Sequence, residues 1–182
     1  MASPLIALAF CTTALAIPTI TFMPVFVKDV LHRGPEVFTV LLSCAGVGSV
    51  AGTLIVAGIG NIARKGRAAL LMLLLLGGSF GGFALSKSLL LSGALVFVSS
   101  AATIGLFSMI NLLVQLSTAE QMRGRVMSVY YIAFRSGMPL GNLAVGWLIP
   151  MYSAPIVLAV DGLLLVVLGS YVFLAQPRVA AL

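Results

Sequence analysis

The sequence is poor in charge. It carries 10 Lys and Arg and 4 Asp and Glu, so 8% of its 182 residues are charged, against roughly 25% in a soluble domain. So few charges cannot cover a water-facing surface, which argues against a soluble globular fold. Disorder needs low hydrophobicity and high charge, and this chain is 61% hydrophobic. One histidine, His32, and two cysteines, Cys11 and Cys44, cannot supply the usual ligand set of a zinc site. No metal and no cofactor are therefore expected. The cysteines fall near opposite ends of their apolar runs and read as small buried hydrophobes, not as a disulfide. There is no serine nucleophile elbow, no phosphate-binding glycine loop and no metal-spaced acid cluster. An enzyme working inside a membrane would need paired acids or a Ser-His set within its apolar runs, and these hold only Asp161. An enzyme is not expected. The net charge of +6 does not point to nucleic acid on so apolar a chain, because membrane proteins collect Lys and Arg in cytoplasmic loops.

What the chain has in abundance is long apolar runs, with a mean hydropathy of +1.20. A membrane helix needs about 20 apolar residues to cross about 30 Å of hydrocarbon. Six runs meet that length, at 4–27, 36–60, 68–86, 89–118, 126–150 and 153–175, with short polar breaks between them. The expected fold is all-α, an integral membrane bundle of six transmembrane helices forming one domain over 1–182. Barrel strands are about 10 residues of alternating polarity, and these runs are longer and uniformly apolar. The first run lacks a basic leading region and is too long for a cleaved signal peptide. With the N-terminus inside, the inner segments hold Arg64, Lys65, Arg67, Arg123, Arg125 and Arg178, and the outer ones hold Lys28, Arg33 and Lys87. That bias places both termini in the cytoplasm.

The spans carry three kinds of mark. Small residues recur at four-residue spacing in Gly48/Gly52, Gly77/Gly81, Gly78/Gly82 and Gly137/Gly141. They read as close helix packing, or as a sliding surface between moving bundles. Prolines interrupt the first and fifth spans, with Pro18 and Pro139 as candidate kinks and Pro24 near the end of the first. Polar stripes run along the fourth span (Ser100, Ser108, Asn111, Gln115, Thr118) and the fifth (Ser128, Tyr131, Arg135, Asn142). They read as interhelical hydrogen bonding, or as the lining of a cavity. Two charges lie within spans: Arg135 about nine residues into the fifth and Asp161 about eight into the sixth. At 1.5 Å per residue both come near mid-membrane, so the two are expected to pair or to meet water. Arg135 shares a face with Tyr131 and Asn142 and reads as a cavity residue. Asp161 has apolar helical neighbours and reads as structural.

Three stretches carry a resemblance. They are Met23-Pro24-Val25-Phe26-Val27-Lys28-Asp29-Val30-Leu31 followed by Gly34-Pro35, then Arg64-Lys65-Gly66-Arg67, then Met122-Arg123-Gly124-Arg125-Val126-Met127-Ser128-Val129-Tyr130 running on to Gly137-Met138-Pro139-Leu140-Gly141. Together they resemble the C-terminal half, helices seven to twelve, of a major facilitator superfamily transporter, nearest the enterobactin and macrolide exporters. The superfamily's full basic motif has an acid before its first basic residue, and Ala63 stands there in this chain. The resemblance implies that the first, second, fourth and fifth spans face a substrate cavity. It implies that the third and sixth lie outside, and that two six-helix halves rock around a midplane site. The Arg64-Lys65-Gly66-Arg67 and Arg123-Gly124-Arg125 motifs are then cytoplasmic loops that meet lipid phosphates or the other half, or simply set topology.

The expected function is secondary active transport, the export of a small molecule such as a siderophore or drug. Asn111, Gln115, Tyr131, Arg135 and Asn142 would line half of the cavity. The expected partners are the lipid bilayer, the substrate and a second six-helix half, in a bacterial inner membrane. The chain has half the length the resemblance asks for, which leaves open a homodimeric half-transporter, or a non-transporting membrane partner or remnant.

Overall fold

The computed structural model describes residues 2–58 and 65–175. Among them every regular element is helical. The order is α1 (Ala2–Thr21), α2 (Met23–Asp29), α3 (Pro35–Gly58), α4 (Lys65–Leu85), α5 (Leu89–Leu116), a 3-10 turn (Glu120–Met122), α6 (Arg123–Tyr152) and α7 (Ala154–Ala175). Helices α1, α3, α4, α5 and α7 are long and apolar enough to cross a membrane. Helix α6 is the longest at 30 residues, and Arg123, Arg125 and Arg135 lower its hydropathy.

The run expected at 4–27 is split in two. Pro24 has no N–H to give the Ile20 carbonyl. The chain therefore turns at Phe22 (φ −98°, ψ 6°) and restarts with Pro24 in the first turn of α2. Phe22 then accepts the N–H groups of Val25 at 3.1 Å and Phe26 at 3.2 Å. Helix α1 itself runs through Pro18, and α6 runs through Pro139 and Pro150. Helix α6 also begins earlier than the apolar run expected at 126–150, so Arg123, Gly124 and Arg125 form its first turn and not a loop. Gly66 and Arg67 likewise sit in the first turn of α4. Backbone hydrogen bonding carries a helix past the edge of its apolar stretch, so hydropathy alone ends these elements too soon. Arg64, Ala63, Arg178 and the end of the run expected at 36–60 lie outside the described residues, as does the side chain of Lys65.

The helices alternate in direction, and two apolar clusters mark the two ends of the bundle. One joins Leu5 and Leu8 of α1, Leu73 of α4, Leu113 of α5, Tyr130 of α6 and Leu165 of α7. The other joins Phe26 of α2, Leu41 of α3, Phe83 of α4, Val96 of α5 and Leu158 of α7, with the Phe26 and Phe83 rings 4.3 Å apart. Helix α1 packs along α6, α3 along α5, and α4 between α5 and α7.

Glycine sets three of these contacts. A Cβ on Gly48 or Gly52 would fall on the backbone carbonyl of Phe97 or Ala101, so α3 lies backbone to backbone on α5. A Cβ on Gly141 would fall on the Ala14 carbonyl, and one on Gly137 would stand 2.7 Å from the Phe10 carbonyl, which fixes α6 on α1. A Cβ on Gly77 would stand 2.8 Å from the Gly162 carbonyl of α7. This is close small-residue packing of the membrane type. Gly78 does not take part, since a Cβ there would meet open space. Many hydroxyls within the helices answer their own backbone, as Thr12 does to Leu8 at 2.7 Å and Thr13 to Ala9 at 2.6 Å. That is the arrangement an apolar surrounding demands. The buried Thr19 hydroxyl, by contrast, has no partner among the described residues.

Candidate functional site

The C-terminal half of α5 and the N-terminal half of α6 face each other across a groove of about 390 Å³. Its walls are Phe107, Ser108 and Asn111 of α5 and Tyr130, Tyr131 and Phe134 of α6. Asn111 Nδ2 donates to the Tyr131 hydroxyl at 3.3 Å, which ties the two polar stripes together. Gln115, one turn further along α5, donates through Nε2 to Asn111 Oδ1. The Asn111 amide is thereby held by a donor behind it and an acceptor ahead of it, and a fixed polar group is what a binding surface needs.

Around this chain stands an aromatic wall. Phe107 meets Phe134 edge to face at 4.8 Å, Tyr130 meets Tyr131 at 5.3 Å, and Tyr130 stacks on Phe134 at 6.0 Å. Tyr130 is buried and Tyr131 is exposed, so one ring anchors the wall and the other presents its face. The open groove sets aromatic ring faces beside the polar atoms of Ser108, Asn111 and Tyr131, a surface that can stack on a flat group and hydrogen-bond it.

The remaining predicted residues divide. Arg135 is exposed, next to Phe134 and one turn beyond Tyr131 on the same stripe of α6. Asn142 is two turns further along; its Oδ1 is buried and has no hydrogen-bond partner. Ser108 reaches the groove, but Ser100 is buried on another side, in a water-sized pocket with Thr19 and Thr103 against α1. Thr118 and Ser128 bond their own helices, at Val114 O (2.7 Å) and Gly124 O (3.0 Å). Arg67, Arg123 and Arg125 are exposed at the ends of their helices. Both cysteines are free thiols.

The pairing of Arg135 with Asp161 does not form. Asp161 is buried on α7, its Oδ2 has no partner, and it lines a pocket with α1 and α6 that Arg135 does not reach. Equal depth does not bring two side chains to one face. Phe107, Tyr130 and Phe134 escaped the sequence reading, because an aromatic in an apolar helix looks like any lipid-facing or core residue. Tyr130 and Phe134 lie four apart on the stripe edge beside Tyr131, and that spacing was the available signal.

The described residues form an all-helical bundle with a polar–aromatic groove between α5 and α6, and this fold is similar to that of major facilitator superfamily transporters. Two solved structures share it. A peptide transporter POT, solved as a mutant with sulfate, superposes with a TM-score of 0.85 at 15% identity, over 99% of this chain and 38% of its own. The POT family transporter PepTSo superposes with a TM-score of 0.80 at 14% identity, over 97% of this chain and 37% of its own. The chain thus spans well under half the length of the structures it matches. No curated protein sequence matches it. Residues 3–180 match the model of the transmembrane secretion effector family, and the chain belongs to that family. It is an integral membrane protein of a transporter family, and that family and fold are not those of enzymes.

Proposed function

We propose that the chain forms one six-span half, helices seven to twelve, of an exporter that carries a small molecule by alternating access. In this reading α1 with α2, then α3, α4, α5, α6 and α7, are the six spans. Both termini lie in the cytoplasm of a bacterial inner membrane, and a second six-helix half completes the central cavity. That half is a separate chain, a preceding segment or a second copy. Helix α6 serves as a span despite its arginines, because 30 residues reach about 45 Å and leave Arg123 and Arg125 beyond the hydrocarbon. The observation that carries the proposal is the Gln115–Asn111–Tyr131 hydrogen-bond chain within the groove between α5 and α6. Polar groups fixed in this way on open helix faces have no use against lipid.

Asn111, Gln115, Tyr131, Arg135 and Asn142 supply this half's share of the binding surface, with Phe107 and Phe134 stacking on the apolar part of the substrate. The solved relatives are titled as peptide transporters, but at 15% identity that likeness carries the fold and not the substrate. A siderophore of the enterobactin kind or a hydrophobic drug such as a macrolide fits the sequence resemblance and the aromatic groove. The test is efflux from cells carrying the complete assembly, across a panel of both substrate kinds. Asn111→Ala and Arg135→Ala should each lower efflux about tenfold, the loss of one well-placed polar contact, with membrane expression unchanged. Unchanged efflux in both variants would remove the groove from the transport path.

A further inference from the structure

On the side of α6 away from Tyr131 and Arg135 there is a second recess. It is a groove of about 610 Å³ between α1, α6 and α7, with Phe10 and Leu15 on one side, Leu148 and Tyr152 on another, and Leu164 on the third. Its lining is apolar except for Asp161 and Tyr152. Asp161 is only 6% exposed, and its Oδ2 has no hydrogen-bond partner. Among the described residues no basic side chain lines the groove. A carboxyl placed so lacks the one thing its chemistry asks for, a cationic N–H donor.

We infer that this groove binds a lipophilic amine, with its protonated nitrogen on the Asp161 carboxylate and its apolar body along the groove toward Tyr152. The occupant follows from charge and depth. Asp161 lies seven residues into α7, about 10 Å along the helix from Ala154. The amine of a phospholipid headgroup stays at the membrane surface and does not reach it. An acyl chain reaches it but leaves the carboxyl unpaired. Water needs two to four polar partners, which this lining does not supply. A single molecule with a basic nitrogen and an apolar body satisfies both the carboxyl and the walls, and 610 Å³ lies within the range of small-molecule sites. The exposed Tyr152 ring marks the mouth, where an aromatic tail would stack.

The experiment is a fluorescence titration of membranes carrying the chain as its gene encodes it, with monodansylcadaverine as probe. This dye has a primary amine at one end and an environment-sensitive aromatic group at the other. Its N-acetyl derivative has the same body without the charge. Saturable binding of the amine is expected, weakened at least about tenfold by Asp161→Asn. Leu148→Trp, which fills the groove and leaves the carboxyl in place, should weaken it similarly. The acetylated dye should bind weakly and equally to the original chain and to Asp161→Asn. Equal affinity of the amine for the original chain and Asp161→Asn overturns the proposal, and so does equal affinity of the two dyes for the original chain. If Asp161→Asn does not accumulate, the comparison of the two dyes and the Leu148→Trp variant still decide it. Efflux plays no part in the readout, so this result stands apart from that of the groove between α5 and α6.

Discussion

Gly141→Ala should loosen the bundle more than Gly78→Ala or Gly105→Ala. The new Cβ would fall on the Ala14 carbonyl oxygen and stand 2.7 Å from the Ala14 carbonyl carbon and 2.9 Å from its Cα, where ordinary contact is 3.4–4 Å. All three atoms are backbone, so no rotamer change can make room. Helices α1 and α6 must separate by about 1 Å, which also opens the neighbouring contact at Gly137. Overpacking costs about 1–3 kcal/mol, and a clash with backbone on both sides belongs at the upper end. Replacing a helical glycine returns about 0.5–1 kcal/mol, leaving a net loss of about 2 kcal/mol. For a chain of this length that is a fall in melting temperature of about 4–8 °C. The assay is thermal unfolding in detergent, followed by the loss of the monodisperse species. Two controls isolate the cause. Gly78→Ala meets open space and should hold or raise the melting temperature. Gly105→Ala meets the Met72 sulfur at 2.7 Å, and Met72 can swing aside, so its cost should be small. If Gly141→Ala melts with Gly78→Ala, the backbone contact between α1 and α6 is not what holds that pair.

Two further outcomes follow from hydrogen bonds made and missing. Asp161→Leu should raise stability by about 1–3 kcal/mol, because it replaces a buried, unpartnered carboxyl oxygen by an apolar group; urea or thermal unfolding in detergent reads this, and a loss would mean the carboxyl has a structural partner. Tyr131→Phe removes the acceptor of the 3.3 Å bond from Asn111 and should cost about 0.5–1.5 kcal/mol. A double-mutant cycle with Asn111→Leu should return a coupling of that size, and none if the two side chains act independently.

Hydropathy made the helices legible, since runs this long and uniformly apolar satisfy their backbone groups as helices and not as barrel strands. It misplaced their ends where the cause was not hydropathy. Pro24 breaks the first run at Phe22, and Arg123 and Arg125 are drawn into α6 by backbone hydrogen bonding. Periodicity found Asn111, Gln115 and Tyr131, which do meet. It put Ser100 on the same stripe, although Ser100 faces α1 instead. A stripe spans a wide arc of a helix, and which part of the arc meets which neighbour depends on packing the sequence does not show. The aromatic wall was illegible for a related reason: Phe107 and Phe134 have the same hydropathy whether they face lipid, core or cavity. The Arg135–Asp161 pairing failed because depth fixes one coordinate and azimuth needs another.

The two grooves differ in the kind of contact that borders them, and this bears on what can move. Helix α1 meets α6, and α3 meets α5, through glycines set on backbone carbonyls. Such contacts allow no sliding without a clash, so each pair behaves as one body. Helix α5 meets α6 otherwise, through the Phe107–Phe134 edge-to-face contact at 4.8 Å and the single bond from Asn111 to Tyr131. Aromatic rings can tilt and one amide can change partners at little cost. The α5–α6 seam therefore lacks the backbone-on-backbone contacts that hold α1 on α6 and α3 on α5, and it is a seam that carries polar groups. A ligand held by Asn111 and Tyr131 touches both bodies at once, so its binding energy acts on their relative position. A ligand on Asp161 would instead lie between α7 and the α1–α6 pair, leaving the glycine contacts within that pair as they are. The first groove thus places its polar groups where binding can act between two helix pairs, which is what the proposed transport cycle asks of it.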